Sequence, residues 1–205
     1  MLLSGRGSNL EAIVNARLPI EIVAVISNQA SAAGLSFARS QGLHAQALNP
    51  ADYADRDSFD TALADEVARH TPDLVVLAGY MRILSAAFIA RFEDRLLNIH
   101  PSLLPAFPGL NTHRRALAEG VKIHGCTVHF VTPRLDHGPI VIQAAVPVLP
   151  HDTADTLAAR VLQQEHRIYP QAIRWFAEQR LIKTGDLVNL SGIEASQAIF
   201  PENGG

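Results

Sequence analysis

The sequence predicts an α/β protein: an open, Rossmann-like, mostly parallel twisted sheet flanked by helices, with an antiparallel C-terminal edge. Three observations carry this reading. Residues 21–26 and 74–78 are short, nearly continuous apolar runs rich in β-branched side chains, the pattern of strands buried on both faces. Between such runs lie amphipathic stretches of helical period, punctuated by glycine and proline, as parallel strands joined by crossover helices require. Residues 124–131 and 140–146 are two further strand-like runs separated by Leu135-Asp136-His137-Gly138-Pro139, a tight-turn composition that returns the chain antiparallel.

In chain order, residues 2–4 read as the end of a strand. Ser4-Gly5-Arg6-Gly7-Ser8-Asn9 then leads into a helical pattern through Leu10, Ile13 and Val14. Strand, glycine-rich turn and helix N-terminus make a phosphate cradle, because glycines admit close backbone approach and the first-turn amides face an anion. The same residues suit a plain tight turn capped by Ser8 or Asn9, and no third glycine completes a dinucleotide fingerprint. After the strand at 21–26, residues 33–40 form a helix stopped by Gly42, and residues 43–48 a third strand. A polar loop carrying Asp52, Asp55, Arg56 and Asp57 precedes a helix with Phe59, Leu63 and Val67 on one face. Arg56 is read as a solvated charge in preference to an anion ligand. Beyond the strand at 74–78, the loop Gly79-Tyr80-Met81-Arg82-Ile83-Leu84 is apolar except for Arg82, and a helix starts near Ser85. Met81 and Leu84 are read as packing residues, the other use of such a loop being to line the pocket of a flat aromatic ligand.

The most informative stretch is Leu96-Leu97-Asn98-Ile99-His100-Pro101. Its apolar run is the end of a buried strand, and alternation puts Asn98 and His100 on one side. Pro101 prevents the strand from running on, so an amide and an imidazole stand together at the lip of the sheet, where open α/β sheets bind ligands. Such a pair suits a developing oxyanion that must also be protonated, as in acyl transfer. A turn-capping Asn98 and a loop histidine are the plainer reading of an isolated Asn-x-His.

Residues 111–119 form a helix ending at Gly120. Cys126, within the following strand, is read as a buried small hydrophobe. Asp136 is either a turn residue bonding its own backbone or the partner that orients His100 and favours its charged form. Residues 153–179 form a long amphipathic helix kinked at Pro170, with Glu165 and His166 as surface groups. The tail, 181–205, holds one possible strand, Leu187–Leu190, and a soft Pro-Glu-Asn-Gly-Gly end.

At 205 residues and 48% apolar, one domain with a small appendage is expected. A net charge of −3 gives no electrostatic case for nucleic acid. The single cysteine excludes an intrachain disulfide and a cysteine-rich zinc site, and the cytoplasm is the expected compartment. No run is long and apolar enough to span a bilayer, so no membrane partner is expected.

Four separated segments resemble one family: Gly5-Arg6-Gly7-Ser8-Asn9-Leu10; Met81-Arg82-Ile83-Leu84-Ser85; Asn98-Ile99-His100-Pro101-Ser102-Leu103-Leu104-Pro105; and Gly125 through Gly138 with Leu135-Asp136. Their order and spacing resemble the phosphoribosylglycinamide formyltransferases, within the folate-dependent formyltransferase superfamily. The resemblance covers residues 1–180, which it divides into a nucleotide half (about 1–95) and a folate and catalytic half (about 96–180), with 181–205 as a tail. It implies transfer of a formyl group from 10-formyltetrahydrofolate, a co-substrate, to the amine of phosphoribosylglycinamide in de novo purine (IMP) biosynthesis, without a metal. By resemblance Asn98 holds the formyl oxygen, His100 donates the proton and Asp136 keeps His100 protonated. Gly7, Ser8 and Asn9 take the ribonucleotide phosphate, and Glu165 its ribose or glycinamide end. Met81, Arg82, Ile83 and Leu84 form the folate pocket, with Arg56, Arg82 and Asn98 contacting the folate. The resemblance also implies a cis Leu104–Pro105 bond. Small-molecule substrates and a monomer or homodimer are expected.

Three features depart from the family pattern. The first strand is a stub where relatives carry more apolar residues, Pro133-Arg134 replaces turn positions that are often acidic, and His137 stands where a small residue is usual. The neighbouring readings are a 10-formyltetrahydrofolate hydrolase, whose relatives carry an N-terminal regulatory domain this sequence is expected to lack, and a methionyl-tRNA or sugar-nucleotide formyltransferase. A non-catalytic nucleotide-binding module would use the Gly-Ser-Asn loop and leave Asn98, His100 and Asp136 unexplained as a set.

Overall fold

The computed structural model describes residues 1–192 and 196–200. The chain divides into two compact units, residues 1–98 and 99–205. The division falls inside one strand, β5 (Leu96–His100).

The first unit alternates strand and helix: β1 (Leu2–Leu3), α1 (Ser8–Asn15), β2 (Val25–Ser27), α2 (Ala33–Ser40), β3 (Ala45–Ala47), α3 (Arg56–Arg69), β4 (Val75–Leu77), α4 (Ala86–Arg91) and the start of β5. All its strands run parallel in the order β3-β2-β1-β4-β5, with Leu2 opposite both Ile26 and Leu77 and Val76 opposite Leu97. The chain leaves β1 to one side and returns on the other beside β4. The loops after β1 and β4 therefore emerge together at a topological switch point, where α/β sheets open a crevice. Leu3, Leu10, Val25, Leu35 and Ala38 pack into one buried cluster beneath α1 and α2. Phe59, Leu63 and Val67, at the i, i+4, i+8 spacing of one helix face, are buried from α3. Gly7 is left-handed (φ 84°), and a Cβ on it would lie 2.6 Å from the Cα of Gly34. The glycine loop and the start of α2 thus touch backbone to backbone, which no larger residue at either position permits.

The strand expected over residues 21–26 is shorter than its composition implies. Only Val25–Ser27 pair, because β3 supplies partners only from Ala45 onward, and Glu21 and Val23 are exposed. β-propensity without a ladder partner does not make a strand.

The second unit contains α5 (Thr112–Ala118), β6 (Ile123–Phe130), β7 (Ile140–Pro147), α6 (Ala154–Ala177), the hairpin β8 (Leu181–Thr184) and β9 (Leu187–Leu190), and β10 (Ala198–Ile199). β6 and β7 pair antiparallel from Ile123↔Pro147 to His129↔Ile140, with a register shift at Val128/His129. The α6 helix starts at a Thr153–Thr156 capping box, runs through Pro170 and buries Leu157, Val161, Ile168, Ile173 and Trp175. The expected tail strand is present as β9. Its partner β8, and β10 lying parallel to β7, are too short to announce themselves in sequence. The expected soft end, 201–205, lies outside the described residues.

Gly125 of β6 faces the β7 backbone, where a Cβ would collide with the carbonyl oxygen of Ala144. Gly125→Ala should lower stability by ~2 kcal/mol or more in urea unfolding. Gly5→Ala, with nothing within 4 Å of its Cβ position, should stay within ~0.5 kcal/mol of wild type.

Candidate active site

In the second unit, β5 ends at His100, which is 6% exposed. The ring has an acceptor at each nitrogen: Nδ1 is 3.5 Å from Asp136 Oδ2, and Nε2 is 3.0 Å from the Phe107 carbonyl oxygen. Asp136 is 9% exposed and left-handed, with φ 50°. Its Oδ2 also accepts from the Gly109 amide at 2.7 Å. The carboxylate is thus bonded across to the His100 loop as well as set in its own turn. Asp136 thus lies beside His100 and in its own turn alike. Gly138 completes the turn, since a Cβ there would strike the Phe130 carbonyl.

Residues 101–111 are held by side chains that sequence reasoning missed. Thr127, fully buried in β6, donates to the Ser102 carbonyl at 2.6 Å and accepts from the Leu104 amide at 3.0 Å. Gln143 of β7 donates to the Leu104 carbonyl at 2.9 Å and to Thr127 Oγ1 at 3.0 Å. The Leu104–Pro105 bond between these contacts is cis, as the resemblance implies. Arg115 donates to the Pro108 carbonyl and lies 5.5 Å above the Phe107 ring. His129 is also missed by sequence, and its Nε2 is 3.9 Å from Asp136 Oδ1. A polar residue inside an otherwise buried strand was the available signal for both Thr127 and His129.

Burial first, then neighbouring His113, lowers His124 to about 4, and their rings meet at 3.2 Å. Burial also lowers His113 and His129. Burial, followed by the nearby Glu165 carboxylate, pushes the Cys126 thiol up, which keeps it inert. Glu165 itself is buried at 8% exposure, correcting its reading as a surface group. It lies four residues after Val161 and three before Ile168, on the packed stripe of α6.

In the first unit, Ser4, Gly5, Arg6, Gly7, Ser8, Asn9, Gln29, Ala78, Gly79 and Met81 line a cavity of about 260 Å³. The expected phosphate residues and Met81 therefore share one space at the switch point. Gly7, and neither Ser8 nor Asn9, occupies the N-cap of α1, and no side chain caps that helix. The first-turn amides are left without a capping side chain, as an anion site requires. Met81 and Ile83 are 67% and 56% exposed, so Met81 is not the packing residue its composition implies, whereas Leu84 is buried. The bonds that hold this loop include Ser4 amide to the Gly79 carbonyl at 3.1 Å, Met81 amide to Ser4 Oγ at 2.9 Å, Arg56 to the Ile83 carbonyl at 2.6 Å, and Ser85 amide to Asp60 at 2.7 Å. Arg56 thus braces the loop while remaining exposed. Arg82 lies 4.8 Å from the Phe59 ring centroid, folded back on α3. Asn98, half-buried in β5, closes the first unit.

Residues 1–173 match the formyl transferase family. The chain belongs to that family. A relative in Escherichia coli K12 named phosphoribosylglycinamide formyltransferase is 50% identical over 185 residues, covering 88% of this chain and 87% of the relative. A Haemophilus influenzae protein of the same name is 43% identical over 196 residues, covering 94% and 92%. Among solved structures, glycinamide ribonucleotide transformylase 1 from Symbiobacterium toebii superposes with a TM-score of 0.90 at 52% identity, covering 92% of this chain and 91% of that one. Formyl transferase membership and this superposition agree with the mostly parallel sheet and its antiparallel pair.

His124 predicts an acid sensitivity. Its folded pKa, about 4, lies below the 6.5 of an unperturbed histidine. Between those values the unfolded chain binds the proton and the fold does not, so stability falls as pH drops through that window. His113 and His129 act in the same direction. Urea unfolding across this range should show the slope, and His124→Gln should flatten it.

Proposed function

We infer that this chain transfers the formyl group of 10-formyltetrahydrofolate to the amine of phosphoribosylglycinamide in de novo purine biosynthesis. The observation that carries the chemistry is the buried His100–Asp136 contact at 3.5 Å, on a strand that bears Asn98 two residues earlier.

Attack of the amine on the formyl carbon creates a tetrahedral oxyanion. An amide N–H from Asn98 and the protonated ring of His100 stabilise that charge as it develops. The ammonium nitrogen must then lose a proton and the departing folate amine must gain one. A single imidazole can relay both, since its charge changes near neutral pH. Asp136 holds Nδ1, which leaves Nε2 to move the proton, exchanging its contact with the Phe107 carbonyl for the substrate. The first-turn amides of Gly7, Ser8 and Asn9 receive the ribonucleotide phosphate, and Glu165 takes its ribose or glycinamide end. Met81, Ile83 and Leu84 line the folate pocket, with Arg56, Arg82 and Asn98 as its polar contacts. With this reading go small-molecule substrates and a cytoplasmic location. Among the described residues no helix is long and apolar enough to cross a membrane. The hydrolase and non-catalytic readings are not favoured, because relatives matching nearly the whole chain are named as transferases of one acceptor.

Consumption of 10-formyltetrahydrofolate should depend on added phosphoribosylglycinamide. Asn98→Ala and His100→Ala should each lower turnover about a hundredfold or more while leaving circular dichroism unchanged. Acceptor-independent consumption would mean a hydrolase, and wild-type turnover in either variant would remove these roles.

A further inference from the structure

We propose that His44, Glu66 and His70 form a binding site for a divalent transition-metal ion, best matched to zinc, on the first unit. Their ligand atoms lie within 4.8 Å of one another. His44 immediately precedes the edge strand β3. Glu66 lies in the last turn of α3, and His70, four residues on, is the residue that caps its C-terminus, so the two side chains come together at that end of the helix. Glu66 Oε1 and His70 Nε2 are 3.3 Å apart. Two ligands at ~2.0–2.1 Å on one tetrahedral zinc are separated by about 3.3 Å, so this pair already has the spacing of a bound ion. The His44 and His70 rings lie 5.1 Å apart between centroids, and His44 is exposed, so a side-chain rotation brings its nitrogen in.

Two imidazoles and a carboxylate are a nitrogen–oxygen set that zinc accepts, with water in the fourth position. Hard ions that demand an all-oxygen shell are not served by it. The outer contacts fit as well. Arg69 Nη1 binds Glu66 Oε2 at 2.7 Å, which leaves Oε1 to turn toward the ion while the carboxylate stays oriented. Gln46 of β3 donates to Oε1, and this is the bond that metal binding displaces. A bound ion would tie the edge strand, through the residue just before it, to the last turns of α3. It would stabilise the fold by mass action. None of the three residues is among those assigned to formyl transfer.

The test is a calorimetric titration of the full chain with zinc chloride near neutral pH, alongside thermal unfolding with zinc and with EDTA. One equivalent should bind, melting should rise with zinc and return with EDTA, and His44→Ala and His70→Ala should each weaken binding about tenfold or more. Unchanged affinity in both variants would overturn the site, as would loss of binding in His124→Gln with both variants intact. Absence of a zinc-dependent melting shift would reduce the cluster to an ion pair with a ring contact. Should a variant lower metal-free stability, cobalt(II) on the wild-type chain decides independently. Intense visible bands report a tetrahedral nitrogen–oxygen site, and the weak bands of a hydrated octahedral ion would overturn it.

Discussion

The carboxylate of Asp136 is the constraint on which the second unit turns. One oxygen accepts from the Gly109 amide at 2.7 Å and faces His100 Nδ1 at 3.5 Å. The other stands 3.9 Å from His129 Nε2. A buried carboxylate is costly unless charge and hydrogen bonds surround it. Here the compensation comes from three places in the chain, so satisfying one buried group also fixes the imidazole, the loop after β5 and the turn between β6 and β7. The left-handed backbone at Asp136 belongs to the same arrangement, a strained position kept where its side chain is over-determined.

A second polar centre supports the first. The Thr127 hydroxyl both donates and accepts, linking the Ser102 carbonyl and the Leu104 amide, while Gln143 bridges the same region from the neighbouring strand. These bonds replace the sheet ladder for a stretch of backbone that leaves β5 and cannot rejoin it past Pro101. Every polar group in that stretch that goes unpaired in the interior would cost ~1–3 kcal/mol. The segment is therefore irregular without being loose.

In the first unit the governing constraint is steric. Gly7 and Gly34 meet through their backbones, which brings the helix N-terminus of α1 to its place after β1. The exposed Met81 and the glycine loop then share a cavity at the switch point of the sheet.

Much of this was written in local pattern. Continuous apolar runs marked β4 and β5, helical periodicity marked α3 and α6, and the Asn98-Ile99-His100-Pro101 stretch marked the end of β5. These are signals that neighbouring residues send together, through strand alternation, helix period and the stop imposed by proline. Tertiary structure alone decided what depends on partners distant in sequence. It truncated β2 because β3 was short. It turned Glu165 inward on the packed face of α6. It exposed Met81, and it made Thr127, Gln143 and His129 supports of the site, although each is an ordinary strand residue in sequence. It also added β10, a two-residue strand that exists only because β7 offers an edge. Periodicity reports which face a residue takes, whereas burial, pairing and charge compensation depend on what comes to lie against that face.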